Sequence, residues 1–274
     1  MAKSALLKSS LAKKYWMALT GLFLCLFLVG HLAGNLQLIF GDASAFNEYA
    51  LFMTTNPAVK VLSYVTYISI LFHAIDGIVL TIQNKKARPI GYAKNNAAAN
   101  SSFSSRNMAV LGTLLLVFIV THMVNFWAKM HFTQMPLQTI EVKMEGQKPL
   151  IVYKTVQEQY IPVEAVDRGQ VELKGTKFYQ FGTDLKVADG YKDLHKITIE
   201  FFKDPSYGIF YTIGYVLAMI VLGFHLSHGF ASAFQSLGIN NPRYNGVVKG
   251  IGYLFAYLVP ALFAIIPLYI YFIK

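Results

Sequence analysis

Seven histidines stand in this chain, and four of them (His31, His73, His122 and His225) lie deep inside long apolar runs. His228 follows His225 by three residues, His131 closes the third run, and His195 lies in a polar segment. An ionisable side chain within a membrane-crossing segment is costly and marks a functional position by default. An imidazole there can bond a neighbouring helix, relay protons or bind a metal. Asn35, Asp76, Asn125 and His228 each stand three or four residues from one of the four histidines, on the same helix face. A ligating imidazole needs such a group for its other ring N–H. Gly30, Gly34, Gly77, Gly223 and Gly229 lie close by in sequence, where a flat cofactor would need close backbone approach.

The elements that carry these residues follow from composition. The chain of 274 residues is 55% hydrophobic and only 14% charged, too few charges to cover a soluble surface of this size. The apolar content excludes disorder, and Cys25, the single cysteine, excludes a disulfide framework. Crossing about 30 Å of hydrocarbon takes roughly 20 apolar residues. Five stretches qualify: Tyr15 to Phe40, Val59 to Gln83, Met108 to Phe132, Tyr207 to Phe234 and Val247 to Ile273. The first is too long for a signal-peptide core and reads as a retained helix. The expected fold is an all-α membrane protein. Residues 1–132 hold helices one to three, 133–206 form an insert, and 207–274 hold helices four and five.

The net charge of +10 would ordinarily point to nucleic acid. Its distribution gives another reading. The segment before helix one (Lys3, Lys8, Lys13, Lys14), the link between helices two and three (Lys85, Lys86, Arg88, Lys94, Arg106) and the link between helices four and five (Arg243, Lys249) hold no acid. The short link between helices one and two holds Asp42 and Glu48, with no base before Lys60. The positive-inside rule places the N-terminus in the cytoplasm, and five crossings put the C-terminus outside. The partner of this charge is therefore the lipid bilayer and not nucleic acid.

The insert, with 10 Lys+Arg against 11 Asp+Glu, is nearly neutral and falls on the outer side. Alternation at Thr139-Ile-Glu-Val-Lys and Ile151-Val-Tyr-Lys-Thr-Val predicts hairpin strands, and Asp193 to Phe202 predicts an amphipathic helix. The stretch from Asn95 to Ser105 reads as a flexible cytoplasmic linker.

Depth follows from the helical rise. His31 lies 17 residues past Lys14, and His122 lies 16 past Arg106, so both sit roughly 25 Å from the last cytoplasmic charge. His73 lies 12 residues before Lys85, and His225 lies 10 before Gln235, which gives roughly 15–18 Å. The arithmetic makes His31 and His122 an outer pair and His73 and His225 an inner pair. Two pairs at two depths suit two bis-histidine centres, and haem iron takes two axial imidazoles. Zinc fits less well, since no cysteine or carboxylate cluster joins the histidines. Plain interhelical hydrogen bonds and a haem-free transporter using Asp76 as a proton relay stay open. No phosphate loop or nucleophile elbow appears.

The runs Gly30-His31-Leu-Ala-Gly-Asn35, Phe72-His73-Ala-Ile-Asp76-Gly77, Thr121-His122-Met-Val-Asn125-Phe126 and Phe224-His225-Leu-Ser-His228-Gly229 carry a family resemblance. The chain resembles the di-haem cytochrome b subunit of succinate:quinone oxidoreductases (succinate dehydrogenases and fumarate reductases), in its single-subunit, five-helix form. The resemblance covers all five helices, and the long 133–206 insert departs from the family's shorter links. It implies two haems b, ligated by His31 with His122 and by His73 with His225, with His225 preferred to His228. It implies a quinone, menaquinone, near the outer haem, with Gln37, Asn47 and Glu48 as candidate groups. It implies an iron–sulfur subunit and a flavoprotein subunit on the cytoplasmic side of a bacterial inner membrane. Those subunits would hold the dicarboxylate chemistry, because an iron–sulfur cluster needs four cysteines and this chain has one. The anchor of a hydrogenase or formate dehydrogenase is the alternative within the same chemistry.

Overall fold

The computed structural model describes residues 9–90, 94, 96–143, 145–146 and 148–274. Lys3, Lys8 and Asn95 lie outside the described residues. The chain is mostly helical, and five of its helical spans are long and apolar enough to cross a membrane: Ser10–Phe40, Pro57–Lys86, Met108–Phe132, Gly208–Ser236 and Pro242–Phe272. This is the architecture of a membrane protein.

Each span begins and ends on local chemistry. Ser9 caps α1 (Ser10–Asn35), which breaks at Leu36 and resumes as α2 (Gln37–Phe40). Asp42 accepts from the Ala45 N–H at 2.8 Å and starts α3 (Ala43–Thr55). The link between the first two spans is thus a helix of its own and not a plain turn. Asn56 caps α4 (Pro57–Lys86), and Asn241 caps the last helix in the same Asn-Pro arrangement. An asparagine oxygen satisfies free N–H groups there, and proline occupies a position whose N–H would be unpaired anyway. Short helices α5 (Ala97–Asn100) and α6 (Phe103–Arg106) follow. The expected flexible linker is corrected here over its described part. Ser104 is buried against Ser227, with their hydroxyls 3.1 Å apart, and Arg106 ties back to the Ala97 carbonyl at 2.9 Å.

The third span is interrupted. Helix α7 (Met108–His122) passes into a π-helical turn, Met123–Ala128, before α8 (Lys129–Phe132). Between the third and fourth spans lie two antiparallel sheets. One is ordered β1 (Thr139–Val142), β2 (Leu150–Lys154), β3 (Tyr160–Pro162). After α9 (Val163–Asp167), the other is ordered β4 (Val171–Lys174), β5 (Lys177–Gln180), β6 (Lys186–Asp189). Leu137, Ile161, Phe178 and Ala188 form their shared core. Of the alternating runs noted in the sequence, Tyr153 packs against this core and Val152 is buried, while Val142 and Ile151 stay exposed.

Helix α10 (Leu194–Phe202) leads into α11 (Gly208–Ser236). Helix α11 ends at Gly238, whose φ of +82° only glycine adopts at little cost. The N–H groups of Gly238 and Ile239 bond back to the Gln235 and Phe234 carbonyls. Helix α12 (Pro242–Phe272) closes the chain.

Helix α11 is the centre of the bundle, touching α1, α7 and α12, while α4 packs on α1 and α7. The spans are buried on one stripe only. Of the third span's most apolar window just 11% is buried, so the outward Val110, Leu114 and Val117 face a lipid-like surround. At one end, α10 lays Phe202 into a cluster with Leu32, Leu38, Phe46, Val259, Ile266 and Ile270. The two-sheet segment is thereby docked against the bundle.

Candidate functional site: two histidine pairs

The bundle brings the four histidines together in two pairs. His31 of α1 and His122 at the end of α7 face each other with ring centroids 5.9 Å apart and planes at 86°. His73 of α4 and His225 of α11 face each other at 6.2 Å and 68°. Two imidazoles on opposite sides of one metal, each with a metal–nitrogen bond near 2.0 Å, would place their centroids about 6.3 Å apart. Both separations are close to that spacing. His228 is half-buried on α11, but the ring that faces His73 is His225.

The pairs stand at different levels. His73 Nδ1 lies 3.1 Å from the Met17 carbonyl and 3.3 Å from the Thr20 hydroxyl, and Thr20 precedes His31 by eleven residues. Gly112 faces His225 and precedes His122 by ten residues. Both helices give a separation of roughly 15 Å. The sequence arithmetic gave a smaller step, because the last charge of each helix does not mark one common height.

Each imidazole has its own surroundings. His31 stacks on Phe27 at 5.3 Å and touches Phe263. Asn35 donates to the His31 carbonyl at 2.8 Å and holds its amide 3.5 Å from both ring nitrogens. His122 Nδ1 lies 3.3 Å from the Tyr215 hydroxyl, which is within hydrogen-bonding reach of Asn125. His225 Nδ1 is buried without a partner among the described residues. A buried polar atom left unpaired is costly unless something else occupies it. Asp76 sits one turn from His73, in charge contact with Lys13 and His73.

Among the described residues no group of three or more His, Cys, Asp or Glu side chains could hold a metal. A zinc-type cage is therefore not supplied, whereas a haem iron takes only two ligands from protein. Gly30 and Gly77 have open space where a Cβ would stand. Gly34 instead accommodates the Tyr49 ring, Gly223 meets the Ala256 carbonyl and Gly229 meets Met108. Gly21 was not singled out from the sequence, yet its Cβ would stand 3.1 Å from the His73 ring. Two facing imidazoles at each of two levels are the donor set that two bis-imidazole haem sites would need.

The outer-end candidates separate. Gln37 is half-buried, and its side chain has no hydrogen bond among the described residues. Glu48 pairs with Lys154 of β2. Asn47 is 1% exposed, and its amide is fully engaged. It donates to Gln138 at 3.2 Å and to Asp193 at 2.9 Å, and accepts from the His195 N–H at 2.9 Å. That pattern makes Asn47 the pin between α3 and the two-sheet segment.

His195 adds a pH response to this docking. Its Nε2 lies 2.9 Å from the Lys274 ammonium. Burial first, and the Lys274 charge second, hold its pKa below the ordinary imidazole value. The unfolded chain then takes up a proton near pH 6.5 while the folded chain does not, so stability from this group is present above that pH and lost as pH falls. Lowering pH from 7.5 to 5.5 is expected to speed proteolysis of residues 133–206, and His195→Gln is expected to flatten that dependence.

Sequence reasoning missed Tyr215, the Met17 carbonyl and the π turn after His122. Tyr215 lies in an apolar run where tyrosine looks like filler, although its place four residues after Tyr211 puts both rings on one face. No family model, curated protein or solved structure matches the chain.

Proposed function

We propose that the chain is a di-haem cytochrome b, the quinone-reactive membrane subunit of a succinate:quinone oxidoreductase. The observation that carries the reading is the pairing of His31 with His122 and of His73 with His225, at 5.9 and 6.2 Å. Haem b, when bound, supplies one-electron transfer at each level. The residues of this chain do the rest. The Met17 carbonyl accepts from His73 Nδ1, which fixes the tautomer and leaves Nε2 for iron. Phe27, Phe118 and Phe263 wall the outer pair with apolar rings and exclude water. Gln37, at the outer end, has an amide N–H free among the described residues to donate to a quinone carbonyl, while Glu48, the other candidate there, is held by Lys154; menaquinone is the quinone proposed. Asn47, spent on docking, supports that end indirectly.

On this reading the chain lies in a bacterial cytoplasmic membrane with its N-terminus inside. The basic links around Lys85, Lys86, Lys94, Arg106, Arg243 and Lys249 face the cytoplasm. They form the docking side for an iron–sulfur subunit and a flavoprotein, whose electrostatic complementarity would guide assembly. Purified protein is expected to carry about two haems per chain, with a reduced-minus-oxidised b-type spectrum that succinate develops in the assembled complex. Protein that stays colourless after full haem reconstitution would overturn the reading. Co-purification with hydrogenase or formate dehydrogenase subunits would keep the haems and replace the partner.

A further inference from the structure

Resting on that reading, we propose that Tyr215 is the positioning residue of the outer pair: its hydroxyl orients the His122 imidazole and lowers the potential of the outer haem, and the two-sheet segment locks Tyr215 in place. The hydroxyl lies 3.3 Å from His122 Nδ1, on the ring nitrogen that is not needed for iron when Nε2 ligates. The N–H at Nδ1 then donates to the tyrosine oxygen, and the Asn125 side chain lies beside the same hydroxyl. His122, Tyr215 and Asn125 thus meet at one hydroxyl.

Two features build this arrangement. The first is the π turn that starts directly after His122 and contains Asn125. A π turn inserts an extra residue per turn and is frequent at functional sites. The second is a cage around the Tyr215 ring. Phe118 lies 5.0 Å away and Phe126 6.5 Å away from the bundle side, and Phe202 at 5.0 Å and Phe201 at 5.8 Å close it from α10. Phe202 is 3% exposed, so the ring it holds has little room to turn. Helix α10, the last element before the fourth span, thus reaches the outer pair through Tyr215 and through Phe126.

The inner pair is built differently. His73 Nδ1 uses a backbone carbonyl, while His225 Nδ1 has no partner among the described residues. At the inner pair the Met17 carbonyl takes His73 Nδ1 at 3.1 Å with the Thr20 hydroxyl 3.3 Å away, contacts that do not involve Tyr215. An imidazole that donates its second N–H is a more basic ligand and favours the oxidised metal. Removing the acceptor should therefore raise the outer potential and leave the inner one alone.

The test is a redox titration of the haem-loaded Tyr215→Phe protein in its complex, with haem content and low-temperature EPR of the oxidised state. Two haems should remain, with the outer one about tenfold easier to reduce, a shift of about 59 mV for one electron. Its EPR signal should move while the inner signal stays. Asn125→Leu, which removes the second group at the hydroxyl, should shift the outer haem by less. Tyr211→Phe, which alters a ring stacked on Phe201 at 4.2 Å, should titrate like the parent. Loss of the outer haem alone in Tyr215→Phe would support the same positioning role, with Asn125→Leu then supplying the titration. Two haems at parental potentials in both Tyr215→Phe and Asn125→Leu would overturn the inference and leave the proposed function standing. A parent protein that binds no haem would instead overturn the function itself.

Discussion

Replacing His31 with alanine is expected to cut haem content from about two per chain to about one, and to leave the remaining haem with the inner pair's spectrum. The expectation rests on geometry. His31 faces His122 only, and the His73–His225 pair lies roughly 15 Å away along the helices. The two sites share helices but none of the four histidines. Without His31, His122 would face no second imidazole and the proposed outer haem would lose half of its donor pair, whereas the contacts of His73 with Met17 and Thr20 are untouched. His73→Ala should give the mirror result. His228→Ala should keep both haems, because His225 is the ring that faces His73. Pyridine haemochrome quantitation with difference spectra of each variant reads the outcome. Retention of both haems in His31→Ala would show that His31 is a packing histidine. Quinol-driven reduction should fall to background in the same variant, since the lost haem is the one nearest Gln37.

Replacing Asn47 with leucine is expected to be the most destabilising single change outside the histidines, at about 3 kcal/mol. Three hydrogen bonds converge on this side chain, which is 1% exposed. Leucine would leave the Gln138 amide, one Asp193 oxygen and the His195 N–H short of partners, and each buried unpaired group costs about 1–3 kcal/mol. Asp193 would still cap α10 through the Lys196 N–H, so α10 should persist while its docking weakens. Thermal unfolding and limited proteolysis together report this. The expected signature is a lowered Tm and early cleavage within residues 133–193. Glu48→Gln is the contrast. Its partner Lys154 is held in a pair whose glutamate side chain is 47% exposed, and a surface pair contributes less than about 1 kcal/mol. Equal resistance of the parent and Asn47→Leu proteins to heat and protease would remove the pin role from Asn47.

The five spans and the two levels of the histidines could be read from the residues, while the caps lie a few residues outside the apolar stretches. Apolar length is a local property, and local properties survive translation into structure. The strands at Thr139 and Ile151 and the helix after Asp193 were legible for the same reason, because their side chains repeat at the period of the element. Helix α3 was not. Its residues sit between two much stronger apolar signals, and its buried side, Phe46 and Asn47, is completed only by α10 and the two-sheet segment.

Depth arithmetic already placed His31 with His122 and His73 with His225 at matching heights. It could not say that the rings of each pair face one another, because facing depends on how each helix is rotated about its axis. That rotation is set by packing among α1, α4, α7 and α11. The same limit explains why the sequence left His225 and His228 open. They are three residues apart on one helix, and only the position of α4 selects between them. The sequence by itself determined where the five spans run and that four histidines lie within them at two levels, since apolar length and helical rise fix those. Only the tertiary structure decided which ring faces which, that Tyr215 stands behind His122 and that Asn47 is a pin, because each depends on side chains brought together from distant parts of the chain.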